Sequence, residues 1–160
     1  MSATHLHLLL NHVPVLGTVL GLGLLAFGLW RRSDELIKAV LGIFVIVALT
    51  AVPVYLTGEP AEHGVKSLPG VSKPLMEQHE QAAAVAFTGV LTLGVIALAG
   101  LIWMRRGRLA PGWFGSAMLG VALIVCGLMA WTANLGGQIR HTEIRPGAST
   151  PAAADKMEHD

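Results

Sequence analysis

The chain has 160 residues, 53% hydrophobic and only 13% charged, with a formal net charge of +1 and a mean hydropathy of +0.62. A soluble domain of that composition would expose large apolar patches, so the balance points to a membrane protein with one domain. A single cysteine, Cys126, excludes an intramolecular disulfide, a thioether haem attachment and a CxxC redox pair.

Residues 5–30 carry no Lys, Arg, Asp or Glu, and these 26 residues at ~1.5 Å each reach roughly 39 Å, enough to span a bilayer. The first charges, Arg31 and Arg32, come after the apolar run with no basic region before it. The stretch therefore reads as a retained helix one and not as a cleaved signal. Within it, Asn11-His12-Val13-Pro14 places a titratable ring in an apolar helix beside a proline that either kinks the helix or marks its regular start. A histidine in hydrocarbon is costly and is a functional candidate by default. Gly17 and Gly21 form a small-xxx-small pair suited to close helix packing.

After the turn at Arg31-Arg32, Ser33 is a plausible cap for a second helix over about 34–56, with Thr57-Gly58-Glu59-Pro60 as its stop. Residues 57–78 form the one long connection. Pro60 suits the first turn of a short helix there, setting Glu59, Glu62 and His63 at i, i+3 and i+4 on one face. Gln78-His79-Glu80 opens helix three, about 79–104, whose first half is rich in Ala and Gly. Arg105, Arg106 and Arg108 make the next turn, bracketed by Trp103 and Trp113 as an interfacial belt. Helix four is expected over about 113–135, with Gly136-Gly137 as its C-cap signal. Residues 146–160 read as a disordered tail after a 1–145 transmembrane domain. Helices one and three each start with a histidine and carry glycines behind it, but the sequence alone makes no convincing internal repeat.

The expected fold is thus an all-α, up-down four-helix bundle integral to the membrane. The short turns hold Arg31, Arg32, Lys38, Arg105, Arg106 and Arg108. Positive-inside logic places them in the cytoplasm and both termini on the outer, periplasmic side of a bacterial inner membrane. His5, His7, His12, His63, His79 and His141, with Glu59, Glu62 and Glu80, then share that outer side.

Any single histidine at a helix end is most simply an interfacial hydrogen-bonding residue, and His5 and His7, near the terminus, read as solvated. His12 and His79 are harder to dismiss: helices one and three sit diagonally in such a bundle, so these rings are expected to face each other as axial ligands of haem b. Asn11 or Glu80 would orient a ligand ring through its second nitrogen, Arg140 would pair with a propionate, and His141 would stand as substitute ligand or partner. A second possibility is a non-haem site for zinc, copper or iron built from His12, His79 and His141 with Glu59, Glu62 or Glu80. Neither HExxH nor paired di-iron ExxH motifs support it. A proton relay or ion site is a third, although no charge lies deeper in helices one or three to continue a path. No catalytic residue set is visible, so an electron carrier or subunit is expected rather than a stand-alone enzyme. Its expected partners are membrane lipid, a quinone or periplasmic electron-transfer protein, or other membrane subunits. Nucleic acid is excluded, because the arginines are explained by topology.

With Asn11-His12-x-Pro14-x-x-Gly17, Thr57-Gly58-Glu59-x-Ala61-Glu62, His79-Glu80 and Gly136-Gly137-x-x-x-His141, the chain resembles a family of small bacterial membrane proteins classed as a domain of unknown function. The resemblance covers roughly residues 5–145. It implies a four-helix inner-membrane protein whose motif residues gather on one face, and brings no activity with it. In helix count and histidine placement the chain is also similar to small four-helix b-type cytochromes.

Overall fold

The structure, a computed structural model, describes residues 2–66, 69–105 and 111–147. Arg106 and Arg108 of the second arginine turn, and the tail from residue 148 onward, lie outside the described residues. The described chain is helical, with no strand: α1 (Ala3–Leu10), α2 (His12–Arg31), α3 (Asp34–Val65), α4 (Lys73–Met104) and α5 (Gly112–Arg140), followed by a 3-10 turn, Thr142–Ile144. Four segments, Thr4–Arg31, Asp34–Gly64, Lys73–Met104 and Gly112–Arg140, are long and apolar enough to cross a membrane. Large apolar side chains such as Leu16, Leu20, Leu49, Val95 and Ile124 stand exposed on their outer faces. An apolar surface of that extent matches a hydrocarbon surrounding rather than water.

The helices run alternately up and down. Gly17 meets Val47, Gly21 meets Phe44 and Gly28 meets Leu36, so numbers rise on α2 as they fall on α3. The same reversal holds between α3 and α4, where Gly94 meets Ala48 and Tyr55 stacks on Phe87 at 4.3 Å. It recurs between α4 and α5, where Gly89 meets Val125 and Gly100 meets Phe114. Around the square each of α2–α5 packs on two of the others, with α2 and α5 closing it, and α1 lies on α3. The core, built on Leu25, Leu41, Phe44, Val90, Leu93 and Met118, fills its middle and its arginine end.

The contacts recur between halves in a fixed register. His7 and His79 are 72 residues apart, and at that spacing the buried Pro14, Thr18, Gly21, Leu25 and Gly28 of α2 correspond to Ala86, Val90, Leu93, Ala97 and Gly100 of α4, also buried. On the second helix of each half the spacing is 78: buried Ile37, Val40, Phe44, Val47 and Ala51 of α3 correspond to buried Gly115, Met118, Ala122, Val125 and Met129 of α5. The N-caps Ser33 and Pro111 keep the same spacing.

Several boundaries differ from those read in the sequence. Helix one is broken at Asn11, which ends α1 and precedes α2. Pro14 has no N–H for the Leu10 carbonyl, and with the break at Asn11 the proline falls in the first turn of α2, where no donor is needed. The second helix does not stop at 56. α3 continues through Pro53 and Pro60 to Val65, each proline forfeiting one bond, while the Thr57 hydroxyl donates to the carbonyls of Pro53 (2.7 Å) and Val54 (3.0 Å). Glu59, Glu62 and His63 therefore ride on the end of α3 and not on a separate short helix. α4 starts at Lys73 with Pro74 in its first turn, which shortens the long connection. Gly136-Gly137 lies inside α5, which runs on to Arg140; neither glycine takes a positive φ. Ser33 caps α3 as expected, its Oγ accepting from the Leu36 N–H at 3.4 Å.

Candidate metal centre at the histidine end

The start of α1, the end of α3, the start of α4 and the end of α5 meet at one end of the bundle, opposite the Arg31–Arg32 turn. Its interior mixes small residues, the buried Ala61, Ala82 and Ala86, with the buried Met76, Leu135 and Gln138, and Gly58 and Gly136 lie against imidazoles.

Two histidines are held there by the same device. The Nδ1 of His7, on α1, lies 3.0 Å from the carbonyl oxygen of Val54 on α3, with the Thr57 hydroxyl at 3.4 Å. The Nδ1 of His79, on α4, lies 3.0 Å from the carbonyl oxygen of Thr132 on α5. A carbonyl only accepts, so each Nδ1 carries the proton and donates, and each Nε2 keeps its lone pair. That is the tautomer in which a histidine binds a metal, with a backbone carbonyl holding the other nitrogen. In both cases a glycine lies four residues after the accepting carbonyl: a Cβ at Gly136 would crowd His79 Cε1 at 3.0 Å, whereas one at Gly58 would make an ordinary contact 3.7 Å from His7 Cε1.

His7 on α1, Glu62 near the end of α3 and His79 near the start of α4 are carried at this end. Glu62 is half-buried and loosely paired with Lys66 at 4.0 Å. Among the described residues no group of three His, Cys, Asp or Glu side chains is disposed as a metal-binding set.

The other residues singled out from the sequence are placed as follows. His12 is exposed at the first position of α2, and Glu59, Glu80, His63 and Arg140 are exposed as well. His141 leaves the bundle after α5 and pairs with Glu143 through Nδ1 at 2.8 Å. Asn11 orients neither ring, since main-chain carbonyls do so; its Oδ1 is buried without a hydrogen-bond partner. The residue that sequence reading passed over is His7, dismissed for its nearness to the terminus. Its distance of four residues from Asn11, one helical turn, was the available signal, and Thr57-Gly58 and Gly136 were quoted as motif residues without the ring they serve.

Fold and site together define a class: an all-helical bundle of four apolar helices with two anchored imidazoles at one end. No protein-family model, curated protein or solved structure matches the chain.

Proposed function

We propose that this chain is a multi-pass membrane protein that carries a redox-active metal between His7 and His79, the metal being the iron of a b-type haem and the task electron transfer. The observation that supports this reading is the pair of imidazoles at one end of the bundle, each with Nδ1 against a backbone carbonyl. Haem supplies four nitrogens of its own and asks the protein for two axial ligands, the number of anchored imidazoles at this end. The exposed apolar belt supports insertion in a bilayer. Arg31, Arg32, Lys38 and Arg105 at the opposite end support a cytoplasmic placement for that end. The two-histidine end then faces outward, toward the periplasm of a two-membrane bacterium, where a soluble electron-transfer protein or a membrane quinone would exchange electrons with it. Arg140 and Lys73, exposed near the mouth, are available to pair with propionates.

A second reading adds the carboxylate of Glu62, carried at the same end on α3, to the two imidazoles as donors for zinc, copper or non-haem iron, a set that is not preassembled among the described residues. The test is an oxidised and dithionite-reduced visible spectrum of detergent-purified protein made in haem-sufficient cells, with metal analysis on the same sample. A sharp reduced α band, lost in His7→Ala and in His79→Ala but kept in His12→Ala, is the expected result. A featureless spectrum with stoichiometric metal that is lost in Glu62→Gln would replace haem with the non-haem site.

A further inference from the structure

The carbonyl that anchors each imidazole occurs twice, and so does the packing of the helices that carry it. Register was set by one pair of histidines and one pair of carbonyls, yet it also brings the buried faces of α2 and α4, and of α3 and α5, into coincidence. It predicts side-chain pairs as well. Gly17 against Val47 becomes Gly89 against Val125, and Gly28 against Leu36 becomes Gly100 against Phe114. The spacing rises from 72 to 78 across the second half because the turn after α4 is longer than the two-residue turn after α2. Neighbour relations obey the same operation: α2 on α3 becomes α4 on α5, and α3 on α4 becomes α5 on α2. With all helices alternating in direction, the operation is a twofold rotation about an axis along the bundle.

We propose that the chain is a duplicated helical hairpin whose repeated element is an imidazole-presenting device, and that Gly136 is a positioning residue of its second copy. In each copy the first helix supplies the histidine and the second supplies a carbonyl and, four residues on, a glycine. At Gly136 the missing Cβ lets the ring lie against the helix and reach the carbonyl; in each copy the carbonyl fixes the Nδ1–H tautomer and leaves the Nε2 lone pair of the neutral ring available. Two copies related by the axis present two Nε2 atoms to one ligand, a cation that takes an equivalent bond from each half. The identity of that ligand rests on the reading above, whereas the device does not. The halves differ where one would specialise them: Thr57, which adds a hydroxyl beside His7, corresponds to Leu135, and Asn11, where helix one breaks, corresponds to Ala83 in an unbroken α4.

The test needs no cofactor. Full-length protein with isotope-labelled histidine, in detergent and above the imidazole titration range, reports each ring's tautomer by nitrogen and carbon NMR shifts. His7 and His79 are expected as Nδ1–H with unprotonated Nε2, against the Nε2–H form common in solvated histidine. Gly136→Ala is expected to shift most of His79 out of Nδ1–H while the His7 signal, an internal report on the fold, stays put. Gly127→Ala, with nothing within 4 Å of the added carbon, is expected to move neither. Nε2–H at both rings in the wild-type protein overturns the device, as does a folded Gly136→Ala protein whose His79 keeps Nδ1–H. If Gly136→Ala does not fold, the wild-type tautomers decide. Both rings in Nδ1–H with no α band in the presence of haem would uphold the device and count against haem as its ligand.

Discussion

Arg145 closes the histidine end of the bundle onto Gly70, 75 residues earlier in the chain, with its Nη2 donating to the Gly70 carbonyl oxygen at 2.7 Å. The same guanidinium donates to the carbonyls of Gln138 (2.8 Å) and Ile139 (3.0 Å), at the end of α5 where backbone acceptors have no helical partner. Arg145→Ala is therefore expected to destabilise the fold by about 1–3 kcal/mol, the range for losing hydrogen bonds to a charged group. Arg145→Lys should recover only part, because an ammonium cannot span three carbonyls as a planar fork does. Thermal unfolding in detergent, with amide exchange at the end of α5, measures both.

At the other end, Arg32 holds a left-handed backbone (φ 51°) so that α2 can close with bonds from Arg32 N to Leu29 O and from Ser33 N to Gly28 O. A side chain costs roughly 1 kcal/mol in that conformation and glycine little. Arg32→Gly should raise the unfolding temperature, provided that the remaining arginines still set the orientation, which protease protection of the turn would verify.

Glycines along α2 are expected to divide by what faces them. A Cβ at Gly17 would stand 2.6 Å from Val47 Cγ2, whereas one at Gly23 meets nothing within 4 Å. Gly17→Ala should cost about 1–3 kcal/mol through overpacking. Gly23→Ala should stabilise by up to about 1 kcal/mol through helix propensity. Parallel denaturant titrations of the two variants would measure the contrast, and equal effects would contradict the packing of α2 on α3.

Asn11 Oδ1 is buried and without a partner. Removing a buried acceptor that makes no bond is expected to stabilise the protein by about 1 kcal/mol. Asn11→Ala should therefore melt higher than wild type. A lower melting point would mean that the amide is engaged by something bound in the purified protein.

The Glu143 carboxyl is held below the usual carboxylate range, first by its own backbone N–H and then by the hydrogen bond to His141. A depressed carboxylate contributes stability above its unfolded pKa and loses it as pH falls through the folded value. The pair is exposed, so the effect on the fold is small and the titration itself is the better readout. In His141→Ala the Glu143 midpoint, followed by carboxyl carbon shifts, should move up toward the ordinary value.

Much of the architecture was legible in the sequence, because hydropathy and charge act locally. The four apolar stretches, the arginine turns, the Ser33 cap and the gathering of histidines at one end all follow from runs of residues a few positions apart. Boundaries near prolines and glycines were less legible. Pro53 and Pro60 do not stop α3, and Gly136-Gly137 does not stop α5, since packing of these segments on neighbouring helices outweighs one lost bond or a flexible residue.

The composition by itself determined that the chain would be a bundle of long apolar helices with its titratable rings at one end. Only the tertiary structure decided which rings are anchored. His7 and His79, and not His12, lie against backbone carbonyls, and those carbonyls are 47 and 53 residues away. A hydrogen bond over that separation depends on helix depth and rotation in the assembled bundle, which no local pattern of residues specifies.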